Sequence, residues 1–369
     1  MAQSTASRER GVAVASSPRA MVRDMTGTAT RFTVEFDVRT VYDFLISLAV
    51  GGDDLTELPP EEVRWLREAR ASLPADVRAG MLVGDRARSG LASEITALAL
   101  AHPAARDAAD LVALVEATPA LKIARMLLCL HQAPEVCQLM DQAFAGDAGA
   151  AERIEGVLEI DDRFRPAARS ILHDPVGAAE RLHLALRAWL GPFREREAQV
   201  GHALERDVAA RDADRRTLDP ADLVERTTGG IRILPDPRTR RVVLAPSYFS
   251  RPFNYVFASD DWRLYCYPIA DAALGDKSPF DPPDPAVRLY RALGDPSRLR
   301  ILKLLSDRDM YLTEIAQQLS LSKPTIKHHL AQLRAAGLVT ATDAGMLTYY
   351  SLRRQRLDEA SAELHGYLG

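Results

Sequence analysis

The chain is 369 residues long, 47% hydrophobic and 27% charged, an ordinary globular mixture with material for two or three domains. It has no run of about 18 apolar residues, which argues against a membrane span. Its three cysteines, Cys129, Cys137 and Cys266, are too few for a disulfide framework and fit a reducing, cytoplasmic setting, and the net charge of −4 speaks against a polyanion partner for the chain as a whole.

Residues 1–30, rich in Ala, Ser and Arg, lack the apolar block of a secretory signal and read as a disordered tail. Phe32 to Arg39 alternates apolar and polar residues, the period of a half-buried strand. Thr40 can cap the helix whose stripe is Val41, Phe44, Leu45 and Leu48. From Pro59 to Arg226 the pattern is helical, broken at Pro74, Pro103, Pro119, Pro134 and Pro175 as between helices of a bundle. Leu182, Leu186, Trp189 and Phe193 share one helix face, and the charge run beyond Pro192 reads as a solvated one. Cys129, His131 and Cys137 match no closed zinc pattern and read as core cysteines, so no metal site is expected. With no phosphate loop, nucleophile elbow or zinc-protease motif, neither an enzyme nor a cofactor is expected.

Four short β-branched or aromatic runs follow, Ile231–Leu234, Arg241–Leu244, Phe253–Phe257 and Trp262–Tyr267, separated by turn residues. They predict a small antiparallel sheet, joined by the strand at Phe32, so that residues 31–274 form one mainly helical α+β domain for effector binding or oligomerisation. The aromatics Tyr248, Phe249, Phe253, Tyr255, Trp262 and Tyr265 are either plain core or the wall of a pocket for a small-molecule effector. Residues 275–285, dense in proline, predict an extended linker.

The last segment, 286–369, holds 12 Lys and Arg against 8 Asp and Glu, leaving 35 against 43 elsewhere. A basic end on an acidic body is the asymmetry expected when one part meets phosphates. Ala286, Leu289 and Leu293 mark a first helix, and Asp295 with Pro296 starts a second. Thr313 to Leu319 and Lys323 to Ala336 are two helices joined by Ser320-Leu321-Ser322, the spacing of a helix-turn-helix. In the latter helix Ile326, Leu330 and Leu333 face inward, and His329 beside them reads as packed. Ser322, Lys323, Thr325, Lys327, His328 and Gln332 lie opposite or at the tip, where hydroxyl, amide, imidazole and ammonium groups suit bases and phosphates of double-stranded DNA. Gly337 ends the helix, and 338–342 with 347–352 predict a β-hairpin wing before a last amphipathic helix.

Leu293-Gly294-Asp295-Pro296-Ser297-Arg298-Leu299-Arg300-Ile301-Leu302, Ile315-Ala316, Lys323 to Leu330, Leu333 to Val339 and Tyr349/Tyr350 with Leu352 occur in the order and spacing that resemble the ArsR family of winged-helix regulators. The resemblance covers about the last 80 residues. It implies a homodimer that binds an imperfect palindrome and represses transcription, with an interface near Leu289, Tyr290, Leu293, Leu357, Leu364 and Leu368. The family's metal ligands have no counterpart: Tyr311 to Gln318 contains no cysteine, and Asp358, Glu363 and His365 are not the zinc-sensor arrangement. Lys327 replaces a frequent serine, and the wing tip Asp343-Ala344-Gly345-Met346 lacks the usual arginine, although Arg353, Arg354 and Arg356 follow. The alternative reading is a winged helix that docks on a protein partner without reading DNA.

Overall fold

The computed structural model describes residues 32–50, 55, 58–75, 77, 94–128, 134–157, 165–234, 238–259, 261–275, 280, 282–343 and 348–368. The expected tail at 1–30, Cys129 and His131, the turn at 235–237, most of the linker (276–279 and 281) and the wing tip at 344–347 lie outside the described residues.

In chain order, β1 (Thr33–Phe36) leads to α1 (Val41–Ala49), α2 (Pro60–Ser72), α3 (Ala108–Ala117), α4 (Ala120–Leu128), α5 (Pro134–Phe144), α6 (Ala148–Val157) and α7 (Arg165–His173). The 36-residue α8 (Pro175–Ala210), α9 (Asp212–Thr217) and α10 (Pro220–Thr228) complete the helical body. Caps set several of the boundaries. Asp107 accepts from the Asp110 amide, Asp174 from Gly177, and Asp219 from Ala221 and Asp222, each filling an amide that the first turn leaves open.

α8 runs on through Pro192 because its inner face is heavily packed. Leu182, Leu186, Trp189 and Phe193 are all buried on that face, as their spacing predicts. The Trp189 indole donates to Ser47 Oγ at 3.1 Å, and Phe193 meets Phe44 edge-on at 5.3 Å. The second half of α8 is amphipathic, with Val200, Ala203 and Leu204 continuing the same core below its charged face.

β2 (Ile231–Ile233), β3 (Arg241–Ser247), β4 (Tyr255–Ala258) and β5 (Trp262–Pro268) follow. The first sheet has the order β1-β3-β5-β4. The mainly helical α+β character holds, but the expected antiparallel sheet does not: β1, β3 and β5 are mutually parallel, and β4 alone is antiparallel. The physical reason is burial on both faces. Val243, Ala245, Leu264 and Cys266 face the helical core, while Val242, Leu244, Tyr265 and Tyr267 are covered by Leu223 and Val224 of α10. A continuous apolar run such as Val242-Val243-Leu244-Ala245 is what a central parallel strand requires.

Of the aromatics proposed above as core or pocket wall, Tyr248, Phe249 and Phe253 in the loop between β3 and β4 and Tyr265 of β5 are buried, while Tyr255 of β4 and Trp262 of β5 are half-buried against the same core. Phe249 stacks on Trp65 at 5.4 Å, and the Tyr248 hydroxyl donates to Glu62. Asp43 of α1 anchors this loop, accepting from Ser247 Oγ (2.8 Å) and the amides of Tyr248 (3.1 Å) and Phe249 (2.8 Å). Its burial pushes its carboxyl up to about 6 in spite of those bonds.

The C-terminal part consists of α11 (Asp284–Leu293), α12 (Pro296–Asp307), β6 (Met310–Tyr311), α13 (Leu312–Leu319), α14 (Lys323–Ala335), β7 (Val339–Asp343), β8 (Thr348–Leu352) and α15 (Arg354–Leu368). Leu289, Ile301, Ile315, Ile326, Leu330 and Leu333 form its own apolar core. β2, expected in the first sheet, is not there. It adds parallel to the outer edge of β7, giving a second sheet of order β2-β7-β8-β6.

Candidate nucleic-acid interface

The two helices of the turn are set by local chemistry. Glu314 accepts from the Tyr311 amide at 2.8 Å, closing a capping box on α13. Ser320 ends that helix in the left-handed conformation at φ 53°, which reverses the chain within three residues. Ser322 then caps α14, its Oγ accepting from the Thr325 amide at 3.2 Å, and Pro324 sits in the first turn where no amide is lost. Gly337, at φ +74°, stops the helix and turns the chain into β7.

The expected DNA-facing residues separate into three groups. Ser322, Lys323, Thr325 and Lys327 are exposed together on the N-terminal half of α14. Neither lysine has an ion-pair partner among the described residues, so both ammonium groups are free for phosphate, beside the positive end of the helix dipole. Ser322 Oγ and Thr325 Oγ1 share a 2.7 Å hydrogen bond that presents two hydroxyls as one polar unit. His328 and Gln332, one turn apart and half-buried, form the second group, their Nε2 atoms 3.2 Å apart.

Arg353 and Arg354 are the third group and lie elsewhere. They stand at the base of the wing, where the Arg353 amide donates to the Leu338 carbonyl and Arg354 Nη2 donates to the Ser306 carbonyl at 2.7 Å. The length of β8 separates them from its start at Thr348, about 17 Å at 3.4 Å per residue. Arg356 is taken up inside the domain, donating to the Ala336 carbonyl and pairing with Glu363. His329 is half-buried beside Asp295 and Arg298, and burial lowers its pKa, as expected of a packed imidazole.

Of the residues expected at a dimer interface, Leu289 is wholly buried in the domain's own core. Tyr290, Leu357 and Leu368 are exposed, the last at 72%. α11 and α15 pack side by side, and between them Pro282, Ala286, Val287, Tyr290, Leu364 and Tyr367 line an apolar groove of about 450 Å³. The Tyr367 hydroxyl donates to the Phe280 carbonyl at 2.7 Å, tying the last helix to the segment before α11.

Sequence reasoning missed the contact at the far end of α14. Arg334 Nη1 donates to the Thr228 carbonyl at 3.4 Å, across from the end of α10. No local pattern announces it, because Thr228 and Arg334 are more than a hundred residues apart.

A capped two-helix turn, an exposed cationic helix tip and a three-stranded wing together define a winged helix-turn-helix of the DNA-binding class. The model of bacterial regulatory proteins of the ArsR family matches residues 295–341. Over 75 residues the chain is 40% identical to an uncharacterized HTH-type transcriptional regulator of Methanocaldococcus jannaschii, covering 20% of this chain and 84% of that protein. It is 38% identical over 72 residues to the transcriptional repressor SdpR of Bacillus subtilis, covering 20% and 80%. It is 43% identical over 77 residues to the HTH-type transcriptional regulator CmtR of Mycobacterium tuberculosis, covering 21% and 65%. The chain belongs to the ArsR family, and it is a DNA-binding transcriptional regulator whose family model matches within its C-terminal part. Among the described residues no helix is long and apolar enough to cross a membrane.

Proposed function

We propose that the protein is a dimeric repressor that reads an imperfect palindrome through α14 of each subunit, in the cytoplasm and without the metal sites of its family. The observation that carries this reading is the exposed tip of α14, where Ser322, Lys323, Thr325 and Lys327 stand free at a capped helix N-terminus. His328 and Gln332 reach base edges further along the helix, and Arg353 and Arg354, at the base of the wing, contribute at most to phosphate contact. A second copy covers Tyr290, Leu357, Leu364 and Leu368 and the groove beside them, so that the two reading helices present a two-fold surface.

Repression accords with the name of the B. subtilis relative. A reading without metal accords with the side chains on α15: Glu363 is spent on Arg356, and His365 Nδ1 lies 2.6 Å from the Ser361 carbonyl. The body at 31–274 serves oligomerisation and receives the signal, a small molecule among the candidates, while 286–369 reads DNA with β2 lent to it from the body.

The test is selection from the host's genomic DNA with the full-length protein at near-physiological salt, with Lys323→Glu/Lys327→Glu alongside. Enrichment of a short two-fold symmetric duplex by the wild type, and its loss in the variant, is the expected result. Failure to enrich any sequence, or equal binding by the variant, would make the winged helix a protein-docking surface instead.

A further inference from the structure

β2 is the one place among the described residues where a strand of the N-terminal body enters the sheet of the reading domain. Ile231, Arg232 and Ile233 stand in register with Ala341, Thr342 and Asp343, and the Ala341 amide donates to the Gly230 carbonyl at 2.9 Å. The backbone there calls for glycine, and the approach is tight. Gly230 has φ +114°, and a Cβ there would meet Thr340 Cγ2 at 3.3 Å. Thr228, just before it, ties four elements together. Its hydroxyl donates to the Val224 carbonyl and accepts from the Ile231 amide, while its carbonyl accepts from Asn254 Nδ2 (3.0 Å) and Arg334 Nη1 (3.4 Å).

We propose that β2 is a clasp by which the body holds the wing and α14 in the geometry that binds DNA, so that opening the clasp lowers affinity without altering any DNA-contacting side chain. The proposal rests on the assignment of α14 as the reading helix.

Three observations carry it. First, without β2 the wing is the two-stranded ribbon β7–β8 with only two residues of β6 beside it. Such a ribbon twists and bends easily, whereas another strand on its outer edge narrows its angle to the rest of the domain. A surface fixed before the encounter loses less freedom on binding. Second, among the described residues the clasp's hydrogen bonds to the reading domain reach the outer edge of β7 and the C-terminal end of α14, and Ser322, Lys323, Thr325 and Lys327 remain exposed while it is closed. The closed state therefore leaves the reading surface free for DNA. Third, the clasp is weak enough to open. It spans three residue pairs, and the half-buried Arg334 guanidinium meets a carbonyl there, with no carboxylate paired to it among the described residues. Partial burial of an uncompensated cation opposes closure. The body shifts the equilibrium through Asn254, which stands in the loop anchored by Asp43 and shares the Thr228 carbonyl with Arg334.

The test uses the full chain and the duplex recovered by the genomic selection. Gly230→Val should weaken binding about tenfold, the loss expected when the competent state falls to roughly a tenth of the population. Adjacent strands lie about 4.8 Å apart, within disulfide reach, so Arg232→Cys/Thr342→Cys can lock the clasp. In the Gly230→Val/Arg232→Cys/Thr342→Cys variant, oxidation should restore most of the affinity and reduction should abolish the gain, with the bridge verified by peptide mapping. Coupling is reciprocal, so duplex binding to the wild type should also slow exchange of the Ala341 amide about tenfold or more.

Wild-type affinity in Gly230→Val, a bridged variant that stays weak, or an Ala341 exchange rate indifferent to the duplex would each overturn the clasp. If Lys323→Glu/Lys327→Glu abolishes binding while these measurements fail, only the clasp falls. If the wild type recovers no duplex, the reading of α14 and the clasp fall together.

Discussion

Asp43 has no hydrophobic role, yet it is wholly buried at the turn on which the loop after β3 is built. Three donors face it, and burial still raises its carboxyl from 3.8 to about 6. A raised carboxyl means that the folded chain holds its proton over a pH range in which the unfolded chain has lost it. Asp43 therefore favours folding most below its unfolded pKa, and that contribution declines as pH rises from about 4 to about 6. The decline is on the order of 3 kcal/mol at about 1.4 kcal/mol per unit. The difference in unfolding free energy between the wild type and Asp43→Asn, followed by denaturant titration across that range, should carry this slope. A flat difference would mean that Asp43 titrates normally. Gly337 marks another single-residue limit, because a Cβ on its φ +74° backbone would also meet Arg356 Cδ at 3.3 Å. Gly337→Ala should cost about 1–2 kcal/mol.

Among the elements, α8 carries the body, and Trp189 is its most deeply committed side chain, fully buried with its indole nitrogen bonded to Ser47. Trp189→Ala should cost about 3–5 kcal/mol in the denaturation midpoint analysis, since a cavity is left and the Ser47 hydroxyl, which still donates to the Phe44 carbonyl, loses the indole as its donor. Undiminished stability would show that the core refills the space. This helix was legible in the sequence because Leu182, Leu186, Trp189 and Phe193 repeat on one face whatever lies opposite. The reading domain was legible for the same reason: its helix start at Asp295, its turn at 320–322 and its glycine stop at 337 are local chemistry. Strand partnership was not. β2 reads Ile-Arg-Ile, an alternation that fits any sheet edge, and nothing within it distinguishes β3 from β7 as a neighbour. For the candidate site, α14 could be read residue by residue. The base-of-wing position of Arg353 and Arg354 depends on where β8 ends, and the grip on Arg334 depends on a partner far away in sequence.

For the whole molecule, the exposed apolar row on α11 and α15 is the proposed seat of a second copy. Tyr290→Glu/Leu368→Glu should shift the protein from dimer to monomer in sedimentation velocity and weaken its binding to a two-fold symmetric duplex by tenfold or more, with each subunit still folded. An unchanged sedimentation coefficient would move the interface elsewhere, most plainly to the helical body. That outcome would leave the groove beside Tyr290 and Tyr367 in need of another occupant.

The placement of β2 also bears on synthesis. Its partner β7 follows it by about a hundred residues, which at 5–20 residues per second leaves β2 waiting on the order of 5–20 s after it emerges. During that interval an Ile-rich edge has no neighbour, the condition under which strands pair with those of other chains. Arg232, charged and 53% exposed between the two isoleucines, interrupts the apolar run where such pairing would begin. A polar uncharged residue there would leave the finished fold nearly intact, and the damage would be seen in the yield of soluble protein.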